Sequence, residues 1–176
     1  MSRHEINVAV NLNNSESRLV QCFGIRWRRN LVDFGKRGPG QKGSLIGFRV
    51  DDKDRTEVDF WTQTGVYALY DGPELVYVGR ATKGDDSLGT RLAAHNRDPK
   101  KADRWTAFSW FGFRSVNRDG SLHATKLPGR HIGAEEAAKV FEGLLIEFLS
   151  PRLNNRGGDL AHVPQFAQFR RDTKTA

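Results

Sequence analysis

The apolar and polar positions of this chain alternate between strand-like and helix-like periods. Runs with strand character occur at 19–28, 44–50, 65–70, 75–79 and 105–116. Helical character occurs at about 87–96 and at 134–149, and a proline follows each segment, where it disfavours further helix. The segments 1–16 and 155–176 are polar and show neither period. The pattern therefore predicts an α+β protein.

The segment 134–149 has the clearest helical period, and it singles out one glutamate. At about 100° per residue one face collects the apolar side chains, which are Ala137, Ala138, Phe141, Leu145, Phe148 and Leu149. Glu136 and Glu147 lie outside that face, whereas Glu142 lies at its edge, where a carboxylate loses hydration unless it gains a partner. That partner is either a nearby arginine or lysine, or a hard divalent cation, since Mg²⁺ is often held by one or two carboxylates plus substrate phosphates.

The predicted hairpin, 65–70 and 75–79, carries Tyr67 and Tyr77, each close to a glycine. The unperturbed pKa of tyrosine is about 10, so the pair indicates either ordinary sheet packing or a site that activates a phenol. A two-residue turn would place the tyrosines on opposite faces. We predict an odd loop at Gly72-Pro73-Glu74 instead, which places Tyr67 directly across from Tyr77, on one face.

The helix after the hairpin places two polar side chains together. Arg91 and His95 are four residues apart and therefore share a face, while Leu88 and Leu92 supply the apolar anchor. A guanidinium binds phosphate through a rigid fork, and an imidazole exchanges a proton near neutral pH. Taken singly, each is also typical of a solvated surface.

Composition limits the class of protein. A length of 176 residues fits one domain, or a domain with a smaller appendage, and 38% hydrophobic residues suffice for a core. No run approaches the roughly 18 apolar residues of a membrane span, and no signal-peptide core follows the N-terminus. Cys22 is the single cysteine, and no Cys/His cluster has the spacing of a zinc site. We therefore expect a cytoplasmic protein that has no membrane partner.

Positive charge is concentrated near the N-terminus. The formal net charge is +7, and residues 17–49 contain eight basic residues against one acid, Asp33. Such density, interleaved with aromatic residues and a Gly-rich loop, is typical of a surface that binds a phosphate backbone, although a solvated basic face has the same charge. The candidate DNA-binding residues are Arg26, Arg28, Arg29, Lys36, Arg37 and Lys42.

These segments together resemble the GIY-YIG endonuclease family. Gly65-Val66-Tyr67 matches the first motif and Tyr77-Val78-Gly79 the second. Five further positions match: Arg80 (the basic position after the second motif), Arg91 (the helix arginine), His95 (the His-or-Tyr position one turn later), Glu142 (the metal-binding glutamate) and Asn154 (the C-terminal asparagine). The resemblance covers about residues 64–156. Extra residues around 83–86 lengthen the loop between Tyr77 and Arg91.

The resemblance implies a fold for residues 64–156, and the charge pattern adds a second region. The expected fold class is α+β, with a small three-stranded antiparallel sheet flanked by helices, as in the family, and an N-terminal β-rich basic extension, which follows from the strand-like runs and the positive charge. The expected parts are a DNA-binding basic extension at 1–61, a nuclease domain at 62–156 and a tail at 157–176.

The resemblance also implies a mechanism for hydrolysing a phosphodiester. One tyrosine acts as general base on water; Tyr67 is preferred and Tyr77 remains a candidate. Arg80 and Arg91 lower the pKa of the phenol, and Arg91 offsets charge on the phosphate. His95 orients the water, Asn154 fixes the geometry, and Glu142 holds Mg²⁺ or Mn²⁺.

The expected substrate is DNA, in double-stranded form, and cutting both strands would need a homodimer or two successive nicks. The alternatives are a catalytically silent nucleic-acid-binding module of the same fold, and a basic α+β interaction module whose tyrosines are packing residues. In the last case Glu142 and Arg91 would not converge on the tyrosines.

Overall fold

The computed structural model describes residues 19–36, 42–82, 84–123, 134–149, 160 and 163–169. Its strands are β1 (Cys22–Arg28), β2 (Ile46–Arg49), β3 (Val58–Asp59), β4 (Gly65–Asp71), β5 (Glu74–Ala81), β6 (Ala107–Gly112) and β7 (Gln165–Gln168). The α-helices of these residues are α1 (Leu88–Arg97) and α2 (Ala134–Leu149). Short 3-10 helices lie at Arg29–Leu31, Gly84–Asp86 and Ala102–Arg104. All seven elements expected from the periodicity are present.

The strands form one mixed sheet, which corrects the expected fold class. In the described residues the sheet has seven strands in the order β3-β2-β7-β1-β6-β4-β5. β1 and β7 are parallel, and the other neighbours are antiparallel. The prediction of a small three-stranded antiparallel sheet flanked by helices is therefore wrong. The motif-bearing strands β5, β4 and β6 are only one end of a larger sheet.

The strand β7, which the sequence pattern does not predict, explains the error. β7 has the sequence Gln-Phe-Ala-Gln, and it lies between β1 and β2. Only Phe166 of this strand is buried, at 3% exposure, so four residues in a polar tail carry almost no periodic signal. The residues before and after position 62 contribute to the same sheet, because β1 pairs with β6 along five residue pairs.

Each face of the sheet carries its own apolar core. We call the face that bears Tyr67 and Leu69 the phenol face, and the face that bears Ala68 and Tyr70 the Tyr70 face. α1 covers the phenol face through Leu88, Leu92 and Ala93. α2 packs on the Tyr70 face through Val140, Leu144 and Phe148. Since β4 is covered on both sides, its residues from Tyr67 to Tyr70 are buried.

Candidate active site

The hairpin β4–β5 places both motif tyrosines on the phenol face. Tyr67 pairs with Gly79, and Leu69 pairs with Tyr77. The tyrosines are therefore diagonal neighbours, with ring centroids 6.1 Å apart. The prediction of one shared face is confirmed, and the prediction that Tyr67 lies directly across from Tyr77 is wrong.

A bulge, rather than an odd loop, produces the shared face. Asp71 pairs with Glu74 around a two-residue turn in which Gly72 has φ +53°. The register then shifts between Leu69 and Tyr70, which leaves Val76 as the extra residue on β5. One extra residue moves every following side chain to the other face. Tyr77 thereby joins Tyr67.

The motif glycines are required by close packing. A Cβ on Gly79 would lie 2.5 Å from both the Cζ and the hydroxyl oxygen of Tyr67. A Cβ on Gly65 would collide with the backbone carbonyl oxygen of Phe111. Gly79 thus lets the ring of Tyr67 lie across β5, and Gly65 lets β4 approach β6.

α1 brings His95 against the two phenols. The hydroxyl of Tyr67 and Nε2 of His95 are 2.8 Å apart, in a hydrogen bond buried in the protein. The ring of His95 lies 4.6 Å from the ring of Tyr77, edge to face. His95 is 4% exposed. The helix spacing seen in the sequence therefore delivers an imidazole to the phenols of the hairpin.

The imidazole of His95 is held neutral. Its pKa is lowered from 6.5 to about 4, first by burial and then by the positive charges of Lys101 and Arg91, against a smaller opposite effect of Asp98. Near neutral pH, one ring nitrogen of His95 is thus an acceptor. A protonated Tyr67 can then donate its hydroxyl proton to Nε2.

The two phenols differ in environment. Burial raises the pKa of Tyr67, and Tyr77 adds to this effect, whereas the guanidinium of Arg91 acts against it. Tyr67 has no exposed surface, and Tyr77 is half-buried. Tyr77 is therefore the phenol that an incoming molecule can reach.

Arg91 lies beside both phenols and is incompletely paired. Its pKa is raised by Tyr67 and, to a smaller extent, by Tyr77. Its ion pair with Asp86 is long, 3.5 Å between Nη1 and Oδ1, and its buried Nε has no hydrogen-bond partner within the described residues. A guanidinium has five N–H donors, so Arg91 retains capacity for a further acceptor.

The structure does not bring every predicted site residue to the phenols. Arg80 is exposed on β5, and strand alternation directs it away from the face of Tyr77 and Gly79. Glu142 belongs to α2, which packs on the Tyr70 face; its side chain lies outside the described residues, and so does Asn154. The predictions for Glu142 and Asn154 therefore stay predictions.

Two of the predicted DNA-binding arginines are held by contacts within the chain. The guanidinium of Arg26 lies 3.7 Å above the ring of Tyr70 and donates to the carbonyl of Gly72 at 3.0 Å. Arg29 donates to Oδ1 of Asn96 at 2.8 Å and to the carbonyl of Ala102.

The other basic candidates are exposed or undescribed. Arg28, Lys36 and Lys42 are exposed, and Arg37 lies outside the described residues. Arg28 borders an open cavity of about 800 Å³ that Arg26, Arg29 and Asn96 also line.

One charged residue beside the phenols was missed by the sequence reasoning. Nζ of Lys101 lies 5.9 Å from the centre of the Tyr77 ring. In the sequence, Asp98-Pro99 marks only the end of a helix, and no period connects Lys101 with the hairpin. The contact arises because the turn after α1 returns towards β5.

The described residues contain no group of three or more His, Cys, Asp or Glu side chains that could hold a metal ion. Asp86 and Asp98 pair with Arg91 and Lys101, the two cations beside the phenols. These residues do not by themselves make a metal site.

In the part of the chain that the structure describes, no helix is long and apolar enough to span a bilayer.

Comparison with known proteins adds no relative to this picture. Neither family models, nor curated protein sequences, nor solved structures gave a significant match to the chain. The candidate site therefore rests on its own residues and geometry.

Proposed function

We propose that this protein is a metal-dependent DNA endonuclease that hydrolyses phosphodiester bonds. The observation that carries the proposal is the meeting of Tyr67, Tyr77, Arg91 and His95 on one face of the sheet. These residues come from separate segments of the chain, and they are four of the seven positions that the resemblance to the GIY-YIG family selects.

The accessible part of the site suits a phosphodiester. Tyr77 is half-buried, and Arg91, whose side chain is 37% exposed, offers a permanent positive charge. A preorganised guanidinium that neutralises charge on the phosphate is worth most where water is excluded. We assign contact with the scissile phosphate to Arg91 and contact with phosphate or attacking water to Tyr77.

Tyr67 and His95 act behind these residues. The raised pKa of Tyr67 opposes its ionisation, so this phenol would serve as a base only by passing its own proton to Nε2 of His95. Its complete burial favours a positioning role in which the Tyr67–His95 hydrogen bond fixes Arg91 and Tyr77. This assignment revises the sequence-based preference for Tyr67 as the base.

A divalent metal would supply Lewis-acid stabilisation of the leaving oxygen. Glu142 is the proposed ligand, on the strength of the sequence resemblance. α2 packs on the Tyr70 face of the sheet, whereas Tyr67 and Tyr77 lie on the phenol face.

The remaining basic residues provide the proposed contacts with the DNA backbone. Arg28, Lys36 and Lys42 are exposed, and phosphate contacts of this kind position a duplex without reading its sequence. Arg26 and Arg29 contribute charge from fixed positions. A triple replacement of Arg26, Arg28 and Arg29 would therefore disturb the fold as well as binding.

Plasmid cleavage in Mg²⁺ or Mn²⁺ tests the proposal. We expect the wild type to cut, and Tyr77→Phe and Glu142→Ala each to lose cutting while keeping the folded state. Glu147→Ala, in the same helix, is the matched control and should cut normally. Cutting that survives chelation of the metal, or that Glu142→Ala leaves unchanged, would remove the metal from the proposal.

A catalytically silent module is the second candidate. Burial of Tyr67 and the neutral state of His95 are also compatible with a surface that binds phosphate without cutting it. Duplex binding by the wild type, together with no cleavage in any divalent metal, would select this alternative.

A further inference from the structure

We propose that Lys101 binds the DNA phosphate next to the one held by Tyr77 and Arg91, and so sets the path of the strand across the site. This inference rests on the proposed function and deepens it. Lys101 lies outside every motif of the resemblance. It is identified by its position in the structure alone.

The backbone places Lys101 in a defined position. The carbonyl of Asp98 accepts hydrogen bonds from the N–H groups of Lys101 at 2.9 Å and of Ala102 at 2.8 Å. Oδ1 of Asp98 accepts another from the N–H of Lys100 at 2.9 Å. Four residues after the end of α1 the chain is thus locked in a turn that directs Lys101 towards β5.

The side chain of Lys101 faces the accessible phenol. Nζ lies 5.9 Å from the centre of the Tyr77 ring, and the side chain is 50% exposed. Its ion pair with Asp98 is long, 3.5 Å between Nζ and Oδ2. Exposed pairs of this kind are worth at most about 1 kcal/mol, so a phosphate can replace Asp98 as the partner of the ammonium.

The positive charge of Lys101 affects His95, the buried imidazole of the site. After burial, it is the largest influence that lowers the pKa of His95, ahead of Arg91. The two cations therefore both lie close to Tyr77, Lys101 from the turn after α1 and Arg91 from α1 itself. A strand whose phosphate lies on Arg91 would have Lys101 available for a neighbouring phosphate.

Adjacent Lys100 provides the control. It is also exposed and carries the same charge, but no contact with Tyr77 or influence on His95 is found for it in the described residues. Lys101→Gln and Lys100→Gln remove equal charge from neighbouring positions. Nonspecific attraction would be weakened equally by both, whereas a positioned contact would be weakened only by the first.

The experiment measures duplex binding as a function of salt, and single-turnover cleavage, for wild type and both variants. We expect Lys101→Gln to lower affinity several-fold and to reduce the slope of log K against log salt by about 0.9, the value for one lost phosphate contact. We expect Lys100→Gln to leave the slope and the cleavage rate close to wild type. Equal effects of the two replacements would overturn the proposal.

The ionisation of His95, measured by NMR, separates the failure of this inference from a failure of the proposed function. Lys101→Gln should raise the pKa of His95, and Lys100→Gln should not. If His95 responds and the wild type binds and cuts DNA, but the salt slope is unchanged, Lys101 faces the site without holding phosphate and the inference fails alone. If the wild type neither binds nor cuts, both proposals fail.

Discussion

Two arginine–tyrosine pairs lie on opposite faces of β4, Arg26 with Tyr70 and Arg91 with Tyr67. Arg26 stacks on its tyrosine at 3.7 Å, and its two terminal nitrogens donate to the carbonyls of Gly72 and Pro73. Arg91 lies beside its tyrosine with one long ion pair and a buried Nε that has no partner in the described residues. Both terminal nitrogens of Arg26 therefore have acceptors, whereas Nε of Arg91 has none in the described residues.

The difference separates a charge that is held within the sheet from one that is accessible beside the candidate site. Arg26 joins β1 to the turn of the hairpin, because the carbonyls that it binds belong to that turn. Arg91 reaches from α1 to hydrogen-bond Tyr67 of β4 and Tyr77 of β5, but its side chain stays 37% exposed and its ion pair is long. A basic residue of the N-terminal segment thus contributes to the fold, whereas the helix arginine keeps an accessible charge beside the phenols.

Replacing Arg91 should have the largest effect. We expect Arg91→Gln to lower the rate of cleavage at saturating DNA by about 10²–10³-fold, the usual loss for a preorganised donor to a transition state. Thermal stability should change little. The control is Arg97→Gln in the same helix, which loses only a donor to the carbonyl of Phe34. Equal loss of cleavage in both variants would contradict the distinction between the two arginines.

The second prediction concerns the neutral imidazole on the phenol face. Folded His95 stays uncharged down to a pKa of about 4, whereas the unfolded chain takes up the proton near 6.5. The unfolded state therefore binds more protons between these values, and the free energy of unfolding falls as the pH is lowered through that window. At about 1.4 kcal/mol per unit, the contribution lost is of the order of 3 kcal/mol.

Denaturant unfolding between pH 7.5 and 4 measures this contribution. Lowered carboxyl pKa values at Asp52, Asp98 and Asp119 also reduce stability in acid, so the informative quantity is the difference between wild type and His95→Gln. That difference should shrink below pH 6.5. Parallel profiles for wild type and His95→Gln would show that His95 is not buried in its neutral form.

The sequence allowed prediction of the elements around the site, but not of the sheet that they form. Local signals suffice for α1, α2 and the hairpin, because each has its own period or turn residues. β7 is four residues long and gains its place only by inserting between β1 and β2. Its pairing energy comes from neighbours far away in the chain, which no local pattern contains.

The sequence predicts which face of a strand a side chain occupies better than it predicts which residues that side chain contacts. The shared face of Tyr67 and Tyr77 follows from one extra residue, but the sequence does not say whether a loop or a bulge contains it. The sequence likewise gives no sign of the partners of Arg26, so it predicts a DNA-binding charge there instead. The contacts of Arg26 with Tyr70 and the turn depend on a strand register between residues more than 40 positions apart.

The smallest effect is expected from replacing Arg26 in its pair with Tyr70. Arg26→Ala removes a stacking contact and two donors to carbonyls, both partly solvated, and should cost about 1–2 kcal/mol of unfolding free energy. Arg26 also has φ +52°, a region that disfavours side chains other than glycine. Arg26→Gly should therefore be the more stable of the two variants, although it lacks the same contacts. Cleavage per folded molecule at saturating DNA should match wild type in both, since Arg26 lies on the face opposite Tyr67 and Tyr77; a rate that falls while stability is retained would place Arg26 in the site.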